Sequence, residues 1–307
     1  AASPAIAADG GRQRHDRTEG AMKLFGTDGI RGQAGVAPLE PATVARVGAA
    51  LVRSMAVDSP RFVIGRDTRE SGPWIEAELA RGLSSEGASV VSAGVVPTPA
   101  IAYLARTEGF DAGLVISASH NPYEDNGIKV FSGSGAKLTE TLESSVEARV
   151  ADTSWSVPPG DGRIAHQDLS QHYLEHLQLI LRDAGALART PIVVDCANGA
   201  TAQLAPAFLA SLGFDVRAIG VTPNGRNINL DCGSTHLQEL SREVVRAGAA
   251  LGIAFDGDGD RALFVDREGR TVDGDAVLLM GAIDLQREGR LPGDAIVATV
   301  MSNIGLE

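Results

Sequence analysis

The sequence predicts an α/β protein of tandem three-layer α/β/α domains, with mixed, mostly parallel sheets and a third domain that is truncated. Three observations predict it. From residue 22 onward, apolar runs of strand length alternate with stretches of helical period. A segment rich in Pro, Gly and Ser, DTSWSVPPGDGR at 152–163, interrupts that alternation in the manner of a linker. A further block opens near residue 272, and the sequence ends one strand into it.

In order, residues 41–56 place Val44, Val47, Leu51 and Met55 at helical spacing. RFVIGRD follows as a buried-type strand. SGPWIEAELARGLSSEG reads as a helix with Ser71 as N-cap and Gly87 as its stop. SVVSAGVVP is a strand, TPAIAYLARTEG a helix and AGLVISAS a strand. Such β-α-β-α-β order calls for a mostly parallel sheet covered by helices. The second block runs through helix LSQHYLEHLQLILRDAG, strand PIVVDCANG, helix TAQLAPAFLASLG, strand FDVRAIGV, helix LQELSREVVRAG and strand LGIAFD. A hairpin, ALFVDREGRTVDG, leads to helix DAVLLMGAIDLQREG and strand DAIVATVMS, whose edge stays unpaired unless more chain follows. The repeated grammar suggests an internal repeat without a strict period. Residues 1–21 have neither hydrophobic periodicity nor a basic region ahead of an apolar one, so they read as a disordered leader, with Met22 the natural start. The expected domains are therefore 22–153, 154–271 and an incomplete 272–307.

Composition narrows the function classes. The 307 residues are 44% hydrophobic and 21% charged, as in soluble globular proteins. A net charge of -12 with 4% aromatic residues argues against a nucleic-acid partner, which needs Lys, Arg and stacking platforms. A small anion remains an admissible ligand wherever donors cluster locally. No apolar run approaches the roughly 18 residues of a membrane-spanning helix, so no membrane partner is expected. Two cysteines suit a reducing compartment, and the expected location is cytoplasmic. Cys196 lies in an apolar run and reads as a buried small hydrophobe. Cys232 and His236 lack further ligands nearby and are not assigned to a metal.

Three motifs carry chemistry. SASHNPYEDNGIKVF at 117–131 follows a strand, and the loops after strand C-terminal ends are where open α/β sheets bind ligands. Ser119 can serve as a covalent carrier, with His120 and Lys129 as titratable acid or base groups. Alone, the motif is equally an ordinary polar turn. FDGDGDR at 255–261 alternates three aspartates with glycines, so Asp256, Asp258 and Asp260 can converge on a hard cation. Without one, their charges would repel and raise at least one pKa. An EF-hand is excluded, because its sixth and twelfth positions hold Arg261 and Arg267. KLFGTDGIRG at 23–32 offers Arg31 as a planar fork for phosphate, though alone it reads as a Gly-rich turn. No nucleotide-binding signature appears.

Together, FGTDGIRG, SASHNP with DNGIK, and DGDGDR resemble in this order the α-D-phosphohexomutase superfamily. NINLDCGSTH, VVDCANGA, TVMSNIGLE and the SASHNP form resemble its phosphoglucosamine mutase branch, while TGSHNP would suit phosphomannomutase/phosphoglucomutase relatives. The resemblance implies that Ser119 is a phosphoserine. It implies Mg²⁺ held by Asp256, Asp258, Asp260 and an oxygen on Ser119. Arg261 and Arg31 would bind phosphate, and Lys129 would act as general acid/base, with His120 and Arg31 in the same site. A basic Lys129 would require its pKa to be lowered. The implied partner is a phosphosugar, with glucosamine or glucose 1,6-bisphosphate as intermediate or activator. The implied reaction interconverts glucosamine 6-phosphate and glucosamine 1-phosphate, which feeds UDP-N-acetylglucosamine and peptidoglycan synthesis. The alternatives are phosphoglucomutase/phosphomannomutase activity, or an inactive metal- or phosphosugar-binding fragment. The family's GE-x-SGH sugar loop and R-x-SGTEP phosphate loop are absent, so weak or no turnover is expected of these 307 residues.

Overall fold

The computed structural model describes residues 23–181 and 189–306. The expected leader at 1–21, the start at Met22 and the last part of helix LSQHYLEHLQLILRDAG lie outside the described residues.

The first unit comprises β1 (Phe25–Gly26), β2 (Gly29–Gln33), α1 (Pro41–Ser54), β3 (Arg61–Arg66), α2 (Gly72–Ser85), β4 (Ser89–Val95), α3 (Thr98–Thr107), β5 (Ala112–Ile116), β6 (Asp125–Ser132), α4 (Glu140–Ala151) and β7 (Ala165–His166). Its sheet has the order β1-β2-β6-β5-β3-β4-β7. Strand β3 runs parallel to β4 and β5, whereas β6 is antiparallel to both β5 and β2. Mixed pairing is thus confirmed. Its antiparallel part is made by the GTDGIRG and DNGIKVF segments, which the sequence motifs alone presented as turns. Strand β5 and the 62–65 centre of β3 are apolar and buried because helices cover both faces. Val44, Val47, Leu51, Ile75, Leu79 and Leu83 of α1 and α2 fill one face; Ile101 and Leu104 of α3 fill the other.

Ser71 stands at the N-cap of α2, but its backbone is helical and its side chain makes no capping bond. Its hydroxyl instead accepts from Asn126 Nδ2 at 2.8 Å, which ties the helix start to β6. Gly87, expected to stop the helix, has φ +86°.

The Pro-, Gly- and Ser-rich segment 152–163 runs along the first unit. Arg46 donates to the carbonyls of Val150, Asp152 and Trp155, and the Trp155 ring lies 4.3 and 4.0 Å from the guanidinium carbons of Arg46 and Arg53. It then delivers β7 to the edge of the first sheet, parallel to β4.

The second unit comprises α5 (Ser170–Leu181), β8 (Pro191–Asp195), α6 (Ala205–Ser211), β9 (Asp215–Ile219), α7 (Gln238–Ala247), β10 (Leu251–Phe255), β11 (Ala262–Asp266) and β12 (Thr271–Val272), followed by α8 (Gly274–Arg287). Its sheet order is β12-β11-β10-β8-β9, with β8 parallel to β9 and β10, and β10 antiparallel to β11. Leu240 and Val244 of α7 cover one face, and Ala205 and Leu209 of α6 cover the other. Helix α6 is shorter than TAQLAPAFLASLG suggests, because Pro206 lacks an N–H and is accommodated in a first turn.

One expectation fails. DAIVATVMS forms no strand: Val297, Val300 and Met301 are exposed, and no described strand offers it a hydrogen-bonding ladder. Apolar, β-branched composition favours a strand only where a partner strand satisfies its backbone. Among the described residues no helix is long and apolar enough to cross a membrane.

Helices α1 and α2 cross at a glycine pair. A Cβ on Gly82 would lie 1.9 Å from the Ala45 carbonyl oxygen, and one on Gly48 would lie 2.5 Å from that of Leu79. Gly82→Ala is therefore expected to destabilise by about 1–3 kcal/mol through overpacking, despite the roughly 1 kcal/mol helix-propensity gain of Ala. Gly281→Ala on α8, where a Cβ meets nothing within 4 Å, should be neutral or stabilising. Urea midpoints of the two variants check this contrast.

Candidate active site

Ser119, Arg69 and the three aspartates follow the C-terminal ends of strands, whereas Arg31 and Lys129 lie within β2 and β6. Strand β5 runs into Ser117-Ala118-Ser119, β3 into Asp67-Thr68-Arg69, and β10 into the loop 256–261 that returns along β11. The two units face one another through these loops.

Ser119 is fully buried and adopts φ +53°, a left-handed conformation unusual for serine. Its N–H donates to Ser117 Oγ at 2.9 Å, and Ser117 in turn donates to Asp67 at 2.6 Å. So held, Ser119 Oγ crosses to the second unit and donates to Asp256 Oδ2 at 2.5 Å. His120 Nδ1 lies 3.4 Å from the same oxygen.

Asp256, Asp258 and Asp260 offer oxygens that all lie within 4.8 Å of one another, and among the described residues they form the one such cluster. The two glycines between them have separate reasons. A Cβ on Gly257 would sit 2.6 Å from the Ser119 carbonyl oxygen, and Gly259 has φ +68°. Burial, with Asp258 adjacent, pushes the Asp256 carboxyl up to about 7. Burial acts the same way on Asp258, but Lys129 reverses it and holds that carboxyl below its ordinary range. Asp258 Oδ1 is a buried oxygen with no hydrogen-bond partner. An all-oxygen donor set, an orphaned buried carboxylate oxygen and a neighbour driven toward protonation are what a hard divalent cation would satisfy. The residues fit Mg²⁺.

Lys129, on β6, is 3% exposed and reaches Asp258 at 2.8 Å, Asp260 at 3.0 Å and Asp28 at 3.2 Å. Burial opposes its charge, but Asp258 and Asp260 outweigh burial and raise its pKa. The direction is opposite to the lowering that a basic role requires, so the ammonium form is favoured. Arg31, on β2, donates to Asp28 at 2.8 Å and lines a cleft of about 620 Å³ with Lys23, His120 and Arg261. Arg261 Nη1 lies 3.1 Å from His120 Nδ1. Burial, with Arg261 and Arg31 beside it, lowers the His120 pKa and favours neutral imidazole.

The structure thus gathers all eight residues singled out in the sequence. It adds others. Thr98 donates its N–H to the Asp258 carbonyl at 2.8 Å and its hydroxyl to Asp258 Oδ2 at 2.5 Å. Arg69 is 1% exposed, pairs with Asp67 at 2.9 Å, and donates to the carbonyls of Ser119 (3.0 Å), Asn121 (2.9 Å), Asp125 (2.9 Å) and Pro122. Asn229 donates to the carbonyls of Ser119 (2.9 Å) and Asn121 (3.1 Å). The signals available were an ion pair within a strand-to-helix turn, RDTRESG, and the NINLD run, neither of which states its partner. Cys196 and Cys232 are buried, and burial pushes both thiols up to about 12, so neither is reactive.

Residues 22–156 match the phosphoglucomutase/phosphomannomutase alpha/beta/alpha domain I, and residues 171–269 match domain II. The chain belongs to the α-D-phosphohexomutase superfamily. Among its superfamily relatives, phosphoglucosamine mutase of Caldicellulosiruptor saccharolyticus is 48% identical over 290 residues, 92% of this chain and 64% of the relative. That of Solibacter usitatus is 48% identical over 291 residues, 94% and 65% respectively. The chain therefore spans about two-thirds or slightly less of the length of these curated relatives. A putative phosphomannomutase from Thermus thermophilus superposes with a TM-score of 0.74 at 25% identity, over 86% of this chain and 62% of that one. A phosphoglucomutase/phosphomannomutase family protein from Burkholderia thailandensis gives 0.72 at 28% identity, over 87% and 59%.

If the phosphohexomutase triad binds Mg²⁺, saturating the ion at about 100 times its Kd should stabilise the protein by about 2.7 kcal/mol. Asp258→Asn should abolish that gain. Thermal melts of both proteins with and without MgCl₂ check it.

Proposed function

We propose that this chain carries the phosphoserine and metal halves of a phosphoglucosamine mutase, which interconverts glucosamine 6-phosphate and glucosamine 1-phosphate through a 1,6-bisphosphate. One observation carries the reading: Ser119 Oγ is buried and hydrogen-bonded at 2.5 Å to the first aspartate of an acidic triad on the facing unit. In this reading the first unit, expected over 22–153 and extended here by β7 at 165–166, supplies the phosphoserine loop, the unit after it, up to 271, the metal loop, and 272–307 open a third domain. The phosphoglucosamine mutase names of the relatives at 44–48% identity support the sugar assignment over phosphoglucomutase/phosphomannomutase.

Asp256, Asp258, Asp260 and an oxygen on Ser119 would hold Mg²⁺. When bound, the ion supplies positive charge that offsets the charge on the transferring phosphoryl group. In the forward half-reaction the Ser119 Oγ–P bond breaks and a P–O bond forms to a sugar hydroxyl, the proton lost by that hydroxyl balancing the one taken up by Ser119 Oγ. In the second half-reaction the other phosphate of the reoriented bisphosphate passes to Ser119 Oγ, whose proton goes to the sugar oxygen it leaves. Arg31 and Arg261 border the cleft beside Ser119 and suit the phosphoryl oxygens, with neutral His120 between them as a hydrogen-bonding group. Lys129, kept protonated by its carboxylate partners, is suited to act as proton donor. Glucosamine or glucose 1,6-bisphosphate would load Ser119.

The test is intact mass and phosphopeptide mapping after incubation with glucose 1,6-bisphosphate and MgCl₂. A single phosphate on Ser119, absent in Ser119→Ala, is the expected result. An unmodified Ser119 after that treatment would overturn the carrier role and leave a metal- or phosphosugar-binding fragment.

A further inference from the structure

Ser119 shares its left-handed backbone with a group of residues on the opposite unit. Of the eight described non-glycine residues with positive φ, Ala197, Asn198, Asn229 and Asp231 lie in the two second-unit loops facing it. Ala197 has no polar side chain to favour φ +54°, so its conformation is imposed by its surroundings. What imposes it is Asp195, a fully buried carboxylate at the end of β8. One of its oxygens accepts from Ala197 N–H at 2.9 Å and the other from Gly233 N–H at 2.7 Å. The carboxylate thereby pins both loops together. The Ala197 carbonyl then accepts from Asn229 N–H at 2.9 Å.

Asn229 is the end of this chain of contacts. It is buried, and its side-chain amide reaches across the boundary to the carbonyls of Ser119 and Asn121. The Ser119 carbonyl also accepts from Arg69 of its own unit. One carbonyl is therefore gripped from both units, and its orientation fixes the ψ of the residue that must aim Oγ at Asp256.

From this arrangement we infer that Asn229 is a positioning residue for Ser119, which makes the aim of the hydroxyl conditional on docking of the second unit. The inference rests on the phosphoserine reading above and assigns Asn229 no contact with substrate. Arg69 alone leaves the loop held from one side. Asn229 supplies the second donor, and Asp195 sets where that donor stands. A displacement of about 1 Å in a reacting group can reduce a rate by about 100-fold.

The experiment compares Asn229→Gly and Asn229→Asp with Thr68→Val in the full-length protein. Glycine keeps the left-handed backbone and removes the amide; aspartate keeps the shape but presents oxygens to the two carbonyls. Thr68→Val deletes a different bond across the same boundary, Thr68 Oγ1 to the Asn198 carbonyl at 2.6 Å, which involves neither Ser119 nor the triad. Loading of Ser119 from glucose 1,6-bisphosphate with MgCl₂ is followed by intact mass. Turnover of glucosamine 6-phosphate and amide hydrogen exchange of residues 117–122 are measured alongside. Both Asn229 variants should lower the loading rate and kcat by about 10- to 100-fold with KM within about threefold, and should speed exchange in that loop. Thr68→Val should stay within about threefold of wild type in kcat. Asn229 variants with wild-type loading, kcat and exchange would overturn the inference, as would an equal loss in Thr68→Val. A wild-type protein that takes no phosphate would count against the carrier reading, while the exchange comparison would still decide the clamp.

Discussion

Three carboxylates from one short hairpin loop occupy a volume in which their oxygens lie within 4.8 Å of one another, largely out of water. Like charges so placed raise one another's pKa and destabilise the fold unless cationic or donor groups meet them. None of the side chains that meet Asp258 and Asp260 most closely belongs to the second unit: Lys129 comes from β6, and Thr98 opens α3. Asp256 receives the hydroxyl of Ser119, again from the first unit. The electrostatic demand of one unit is thus met in part by the other. Docking of the units and assembly of the site become a single event.

The scaffold makes that event geometrically tight. Strands β3 and β5 of one sheet and β8 and β10 of the other all end at the boundary, so each delivers its chemistry at a C-terminal end. Arg69 then does for the serine loop what a strand partner does for an edge, donating to four of its carbonyls, two of which Asn229 meets as well. Its own charge is tolerated because Asp67, equally buried, lies 2.9 Å away. A loop so bonded fixes the place of its hydroxyl, which the proposed phosphoryl transfer would require.

The sequence was most legible where local rules and the final environment agree. Helices α1 and α3 and strands β3, β5, β8 and β10 lie where apolar spacing placed them, because each buries the face or faces its pattern advertises. Ser119, the three aspartates and Lys129 were legible as motif residues, since glycines and turn formers surround them. Asn229 and Arg69 were not, because their function is a set of backbone carbonyls 50 or more positions from Arg69 and over 100 from Asn229, and no local spacing encodes that. Ser71 shows the limit from the other side. It stands where a cap belongs, yet Asn126 on β6 claims its hydroxyl. DAIVATVMS has strand composition, but composition cannot supply the partner strand that would make it one.

The distribution of charge explains how a chain of net charge -12 can present a site for an anion. The acids are sequestered: Asp256 and Asp258 are buried, Asp260 and Asp28 are paired with Lys129, and Asp28 also receives Arg31 and Lys137. Hydrogen bonds from those three cations hold the Asp28 carboxyl well below its ordinary range against the opposing effect of burial. The cleft wall beside Ser119 presents Lys23, Arg31 and Arg261 along with the paired Asp28, and an imidazole that burial and those arginines keep neutral. A phosphate entering the cleft would therefore meet these donors together with Asp28, whose charge is already paired, while Asp256 and Asp258 are buried. Net charge sets the far field, but within a few ångströms the order in which a ligand meets each group decides binding.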